Sequence, residues 1–313
     1  MNVILGIDTS CYTTSAAAVC VDNGECVKYE LIMLSPEKGE KGLRQSTALF
    51  FHIKNLPTVI QKLCGSEDFR IKGVCVSAKP RPMEGSYMPV FEAGVCTAKS
   101  IAAALNVPYY ETTHQENHIM AASSGIFNRE FYALHLSGGT TELLKVNPLQ
   151  TGFDINIVSA TSDISFGKLI DRIGVKLGFD FPAGKELELV ANNGKPVFVP
   201  KLKLYDGAIS LSGAEKQFSD ACDIYTKEDI AASLFEYTGR LLAKWIGFNT
   251  KPGCDVLLAG GVASNKIIRN ITKKSDELKD VKLHFAQPEL CRDNAVGTAL
   301  IGLRYYNAEH AIK

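Results

Sequence analysis

The sequence predicts an α/β protein built as two lobes, and three observations point there. At 313 residues the chain exceeds what one hydrophobic core usually holds. Short apolar runs of strand type alternate with helical periodicities along its whole length. A strand, a tip rich in hydroxyls or glycine and a returning strand occur twice, near Ser10 and near Ser137. Such long-period self-similarity suggests related lobes, chance likeness between two hairpins being the alternative.

Val3 to Asp8 reads as a buried strand that ends in a carboxylate. A hydroxyl-rich turn, Thr9 to Ser15, leads to a second strand, Ala16 to Val21. Asp22-Asn23-Gly24 turns the chain into a third, Cys26 to Leu31, which completes a meander. Residues 32–46 read as a loop, with Pro36, Gly39 and Gly42 among scattered charges. His52 to Cys64 has helical periodicity and is expected to start near Ser46 or Thr47. Ile71 to Ser77 is a fourth strand, Glu92 to Leu105 an alanine-rich helix, and Val107 to Glu111 a short strand.

The pattern then restarts. Phe131 to Leu136 is a strand, Ser137 to Thr141 a turn of small residues, and Glu142 to Val146 the return. On a helix, Asp163, Gly167 and Asp171 would share one side at i, i+4 and i+8. Ile230 to Ile246 is a long amphipathic helix. Asp255 to Ala259 is a strand running into Gly260-Gly261, followed by a helix at 264–270. Val281 to Phe285 is the last strand and Ala295 to Tyr306 the terminal helix. The expected division is residues 1–117, completed by 294–313, against 118–293.

Composition narrows the function. Hydrophobic residues make up 46% and charged residues 22%, as in an ordinary globular enzyme. Thirty-four basic and thirty-four acidic residues cancel, so nucleic acid would have to be held by a local patch or a partner. Nine cysteines include no C-x-x-C pair, and several sit in apolar runs, which suits buried thiols in a reducing compartment. No basic leader precedes the first strand and no run of 18 apolar residues occurs, so a cytoplasmic protein without a membrane segment is expected.

The chemistry centres on Thr113 to Ala122. Thr113 and Glu116 have the spacing of a capping box, which starts a helix at His114. His114 and His118 then project from one face, close enough to hold one metal ion, although two surface histidines would look the same. A zinc-protease helix would carry its glutamate directly after the first histidine, and here it follows two positions later. Asp293 is the carboxylate to pair with them. As an alternative it caps the terminal helix, since it lies just before Asn294 and Ala295. Two nitrogens and a carboxylate with open positions suit iron or zinc. Ser137-Gly138-Gly139 at a hairpin tip and Gly260-Gly261 before a helix offer backbone amides to an anion. Together with the hydroxyl-rich first hairpin around Ser10 they suggest a nucleotide held between lobes.

Taken in order, these residues resemble the TsaD family, the tRNA threonylcarbamoyladenosine synthases once called O-sialoglycoprotein endopeptidases. Ile4 to Cys11 is similar to the family's opening, and His114-x-x-x-His118 to its metal motif. Leu136-Ser137-Gly138-Gly139-x-Thr141, Asp163-x-x-x-Gly167-x-x-x-Asp171 and Pro182-Ala183-Gly184 follow in register. Leu211-Ser212-Gly213, Gly260 to Asn265 and Asp293-Asn294 complete the series. The resemblance implies the two-lobed fold of actin, hexokinase and the heat-shock ATPases, with duplicated ribonuclease-H-like lobes and ATP or an adenylate between them. It also implies transfer of threonylcarbamoyl from threonylcarbamoyl-adenylate to N6 of adenosine 37, in tRNAs that read codons beginning with A.

On that likeness His114, His118 and Asp293 bind one Fe2+ or Zn2+. Ser10, His135, Leu136, Ser137, Gly138, Gly139, Asp171, Gly184, Gly260, Gly261 and Asn265 contact the nucleotide, with Asp171 at the ribose hydroxyls. TsaB-like and TsaE-like proteins are the expected partners beside tRNA. The chain departs from the family pattern in four places. Tyr12-Thr13-Thr14 replace acidic residues, Lys79 to Gly85 replace a glycine-proline-glycine turn, Thr140 stands for a histidine, and Pro182-Ala183-Gly184 lacks one glycine. A diverged paralogue that regulates or scaffolds a synthase is therefore one competing expectation, and an ATPase or kinase of the same superfamily another.

Overall fold

The computed structural model describes residues 1–10, 12–34, 43–65, 67–123, 128–136, 138–287, 290 and 293–311. In chain order its elements are β1 (Asn2–Asp8), β2 (Thr13–Cys20), β3 (Cys26–Met33), α1 (Gln45–Cys64), β4 (Arg70–Lys79), α2 (Phe91–Leu105), β5 (Tyr109–Thr113) and α3 (His114–Ser123). Then come β6 (Phe131–Leu136), β7 (Thr141–Pro148), β8 (Phe153–Ala160), α4 (Phe166–Lys176), α5 (Gly184–Ala191), α6 (Ser212–Ala221) and α7 (Lys227–Asn249). The chain ends with β9 (Asp255–Ala259), α8 (Lys266–Lys273), β10 (Lys282–Phe285) and α9 (Val296–His310). The loop expected at 32–46 falls mostly outside the described residues.

Two compact units result. Unit 1 comprises Met1–Arg129, Asn147–Asp154 and Arg292–Lys313; unit 2 comprises Glu130–Val146 and Ile155–Cys291. The expected division at 117/118 falls within α3, which belongs whole to unit 1, and Asp293 goes with it.

Unit 1 holds a sheet in the order β3-β2-β1-β4-β5. Its first three strands form the antiparallel meander, and β1, β4 and β5 run parallel. Asp8 and Thr113 therefore end their strands on one edge, the carboxyl edge where open α/β sheets place ligands. The core includes Val3, Leu5, Ile7, Val74 and Val76, with Leu56, Val59 and Leu63 of α1 and Ala98 and Ala102 of α2.

Unit 2 repeats the order as β10-β9-β6-β7-β8. Here β6 and β7 are antiparallel and β6, β9 and β10 parallel, so β6 to β10 stand where β1 to β5 stand in unit 1. The duplication expected from two hairpins thus extends to five strands. Its core gathers Leu134, Leu136, Phe166, Phe218, Phe235 and Trp245.

Three elements were not expected from sequence. Helices α5 and α6 have 8 and 10 residues, too few turns for a distinct apolar stripe. Strand β8 leaves Ile157 and Val158 exposed, so its pattern does not read as a buried strand. One expectation is corrected: α4 starts at Phe166, capped by Ser165, whose hydroxyl accepts from the Lys168 amide at 3.1 Å. Asp163 lies before that helix and shares no helical face with Asp171. Its carboxylate instead accepts from the amides of Leu211 and Ser212, each at 2.9 Å, and from the Ser210 hydroxyl at 2.8 Å. Burial alone would raise this carboxyl, but those donors hold it well below the usual range. The free amides that open α6 are thus satisfied from another segment. Asp163→Ala is expected to cost about 1–2 kcal/mol, read as a lower urea midpoint at unchanged slope.

Candidate functional site

The capping box is formed as expected. The Thr113 amide donates to Glu116 Oε2 at 3.1 Å, and the Glu116 amide donates to Thr113 Oγ1 at 3.2 Å. Glu116 Oε1 also accepts from the Phe153 amide at 3.2 Å, tying the first turn of α3 to the start of β8. Helix α3 therefore begins at His114 and places His114 and His118 one turn apart.

Both histidines are largely enclosed, their side chains 16% and 8% exposed, so they are not an ordinary surface pair. Their Nε2 atoms lie 3.0 Å apart. Asp293 Oδ1 lies 3.2 Å from His118 Nε2 and 3.7 Å from His114 Nε2. Ligands at ordinary zinc distances and tetrahedral angles stand about 3.3 Å apart, so this donor set has the spacing and chemistry for one divalent ion. Among the described residues the same three are the group whose donor atoms lie within 4.8 Å of one another. Asp293 does not cap α9. The amide of Val296 donates to Asn294 Oδ1 at 2.9 Å, which leaves the aspartate free to face the histidines.

Behind this trio stands Asp8, fully buried, with Oδ2 3.0 Å from His114 Nδ1. Sequence reasoning noted a strand ending in a carboxylate and gave it no role; its position at the carboxyl edge of β1 was the available signal. Burial would raise the Asp8 carboxyl, but the charge and hydrogen bond of His114 hold it well below the usual range. Burial likewise pulls the His114 imidazole down, and the Asp8 charge and hydrogen bond, followed by the Asp293 charge, outweigh it and hold it up at about 9. For Asp293, burial is outweighed by the His118 hydrogen bond and the charges of both histidines, which lower it.

A histidine raised above its unfolded value of 6.5 adds stability that is fully present below pH 6.5 and lost as pH rises through about 9. The carboxylate partners, lowered from 3.8, add stability that is lost only as pH falls below that value. The metal-stripped protein is therefore expected to melt at progressively lower temperature as pH climbs from 6.5 to about 9. A flat melting profile across that window in scanning calorimetry would contradict the Asp8–His114 pairing.

The residues expected at a nucleotide fall in both units. Ser10 belongs to unit 1, where its amide donates to Asp8 Oδ1 at 3.0 Å and its buried hydroxyl has no partner among the described residues. Ser137 lies outside the described residues. The others belong to unit 2 and are linked around the carboxyl ends of β6 and β9. Gly260 has φ +99°, and a Cβ there would stand 2.2 Å from the Leu136 carbonyl, so only glycine lets these two strand ends meet. Half-buried His135 and buried Leu136 end β6, and Gly138 in the following tip accepts from the Ser165 hydroxyl at 2.7 Å. Asp171 Oδ1 accepts from the Ala183 amide at 2.9 Å, just before Gly184 opens α5. The Lys266 amide donates to Glu188 of α5 at 2.6 Å. Gly260-Gly261 does not lead directly into a helix as expected. A short 3-10 turn, Val262–Ser264, intervenes, and Asn265 caps α8 by accepting from the Ile268 amide at 2.9 Å.

Comparison with known proteins agrees with this organisation. The TsaD family profile, tRNA N6-adenosine threonylcarbamoyltransferase, matches residues 38–300. The protein of that name from Ligilactobacillus salivarius is 31% identical, covering 100% of this chain and 93% of its own length. The one from Neorickettsia sennetsu is 29% identical over 94% of this chain and 91% of its own. Among solved structures, the activator of 2-hydroxyisocaproyl-CoA dehydratase from Clostridium difficile aligns with TM-score 0.57 at 15% identity, over 99% of this chain and 98% of its own. A ROK family glucokinase from Streptomyces griseus aligns with TM-score 0.53 at 13% identity, over 96% of this chain and 99% of its own. The fold is thus a mixed α/β fold with two five-stranded sheets, of the kind these two proteins share.

Proposed function

The chain belongs to the TsaD family of tRNA N6-adenosine threonylcarbamoyltransferases, and from that premise we propose that it moves threonylcarbamoyl from threonylcarbamoyl-adenylate to N6 of adenosine 37, in tRNAs reading A-starting codons. The observation that carries the proposal is the convergence of His114 Nε2, His118 Nε2 and Asp293 Oδ1 at the carboxyl edge of the unit 1 sheet. These three would hold one Fe2+ or Zn2+. When bound, such an ion supplies Lewis-acid stabilisation of negative charge on the carbamoyl and phosphate oxygens. Asp8 accepts the Nδ1 proton of His114 and so keeps the Nε2 lone pair facing the cluster.

The unit 2 loops would hold the adenylate, or ATP, by its anionic and ribose groups. The amides of Gly138 and Gly139 sit at a hairpin tip, and Gly260 and Gly261 let a phosphate approach the backbone closely. Asp171, anchored by the Ala183 amide, would take ribose hydroxyls, with Gly184, Asn265, His135 and Leu136 around it. Within unit 1, the Ser10 hydroxyl, unpartnered among the described residues, supports a polar contact of its own beside Asp8.

Two features support protein partners of the TsaB and TsaE kind. Formal charge sums to zero, so little long-range attraction for tRNA exists. Helix α1 also leaves Phe50, Phe51 and Ile53 substantially exposed. The seven described cysteines are free thiols, which supports work in the reducing cytoplasm, and no described helix is long and apolar enough to cross a membrane.

The test supplies threonylcarbamoyl-adenylate and unmodified tRNA to the metal-loaded protein, with and without a TsaB-like partner, and detects the modified nucleoside by mass spectrometry. Product is expected, and rescue of a strain depleted of its own synthase with it. Absence of product in both arms would overturn the proposal. Steady ATP hydrolysis without tRNA would turn the assignment toward an ATPase or kinase.

A further inference from the structure

Between the two histidines of α3 lies Asn117, 1% exposed. Its Nδ2 donates to Asp8 Oδ2 at 3.2 Å and to the Asn294 carbonyl at 2.5 Å. Its Oδ1 accepts from the Thr298 amide at 2.9 Å. An amide NH2 has two hydrogens, and both are used here. The orientation of the group is fixed by sign. Flipping it would set the Asn117 carbonyl against a carboxylate and another carbonyl, and its NH2 against an N–H.

Each contact leads to the metal cluster. Asp8 Oδ2 is the oxygen that also meets His114 Nδ1, and Asp8 Oδ1 is taken by the Ser10 amide. With both oxygens engaged, the carboxylate cannot swing away from the imidazole it orients. The Asn294 carbonyl closes the residue that directly follows Asp293, so holding it fixes where the aspartate stands relative to α3. The Thr298 amide is among the free donors of the first turn of α9.

We propose that Asn117 is a positioning residue for the metal centre, one amide setting both the carboxylate behind His114 and the approach of Asp293. The inference rests on His114, His118 and Asp293 binding a metal, and goes beyond it by naming what holds two of them in register. It also distinguishes Asn117 from a mere strut between α3 and α9. A strut could be weakened without altering the affinity of the folded protein for metal.

Asn117→Asp separates the roles. It keeps the size and an oxygen for the Thr298 amide, and removes the hydrogens aimed at Asp8 and Asn294. Asn117→Ser is the second variant, a smaller side chain that relieves any charge repulsion. Both are titrated with Zn2+ against a competing chelator, and with Co2+ while its visible absorption is recorded. The expected result is Zn2+ affinity lower by about 10- to 100-fold and an altered Co2+ band in either folded variant. Wild-type affinity with an unchanged Co2+ band, even in a variant that melts earlier, would overturn the inference and leave the metal site standing. Wild-type protein that takes up neither ion would remove the metal site, and this inference with it.

Discussion

Replacing His118 by alanine is expected to leave a folded protein that holds no metal and transfers threonylcarbamoyl at least about 100-fold more slowly. His118 is the middle donor of the three. Its Nε2 stands 3.0 Å from His114 Nε2 and 3.2 Å from Asp293 Oδ1, whereas those two are 3.7 Å apart. Without it, one imidazole and one carboxylate remain, too few to retain a first-row ion against water and buffer. The fold should survive, because alanine favours the helix and the capping box of Thr113 and Glu116 is untouched. The measurement is metal per chain by mass spectrometry, beside product formed from threonylcarbamoyl-adenylate and tRNA. A variant that kept its metal would move the site elsewhere. One that lost the metal and kept its rate would make the ion structural and not part of the reaction.

The sequence made local chemistry legible and left long-range partners hidden. Thr113 and Glu116 could be read as a capping box because both halves lie within one turn, and the pair of histidines followed from helix geometry alone. Asp293 could not be resolved in the same way. A cap and a ligand both require a carboxylate just before a helix, and only the register of the helix start decides between them. Here Asn294 supplies the oxygen for the Val296 amide, and the aspartate turns to His118. Asp8 lies 106 residues from His114, so no spacing rule joins them; parallel strands β1, β4 and β5 bring them to one edge. Asp163 shows the converse, since a repeat of acidic residues at helical spacing belongs to a helix that starts after the first of them. The duplicated hairpins were visible because strand and tip are adjacent in sequence. The full correspondence of two five-stranded sheets required β8, whose exposed isoleucine and valine give no buried alternation.

Gly297→Ala is expected to cost about 3 kcal/mol or more and to weaken metal binding, although residue 297 touches no ligand. A Cβ there would stand 2.0 Å from the Asn117 carbonyl and 2.8 Å from the Ala121 amide. Both are backbone atoms of α3, so no side chain can rotate aside, and α9 would have to move away from α3. That movement is resisted on its other flank, where the Thr298 hydroxyl bonds Ser77 of β4 at 3.0 Å. The strain therefore falls on the contacts that carry the cluster: Thr298 to Asn117, Asn117 to the Asn294 carbonyl, and Asp293 beside it. Gly213→Ala is the control. Position 213 lies in the first turn of α6, where an added methyl group would meet nothing within 4 Å, and alanine there should be neutral or stabilising by about 0.4–1 kcal/mol. Urea midpoints of the two variants, with Zn2+ titrations of the folded proteins, test the difference. If Gly297→Ala melted with wild-type midpoint and bound Zn2+ unchanged, the close approach of α3 and α9 would not be what brings Asp293 to the histidines.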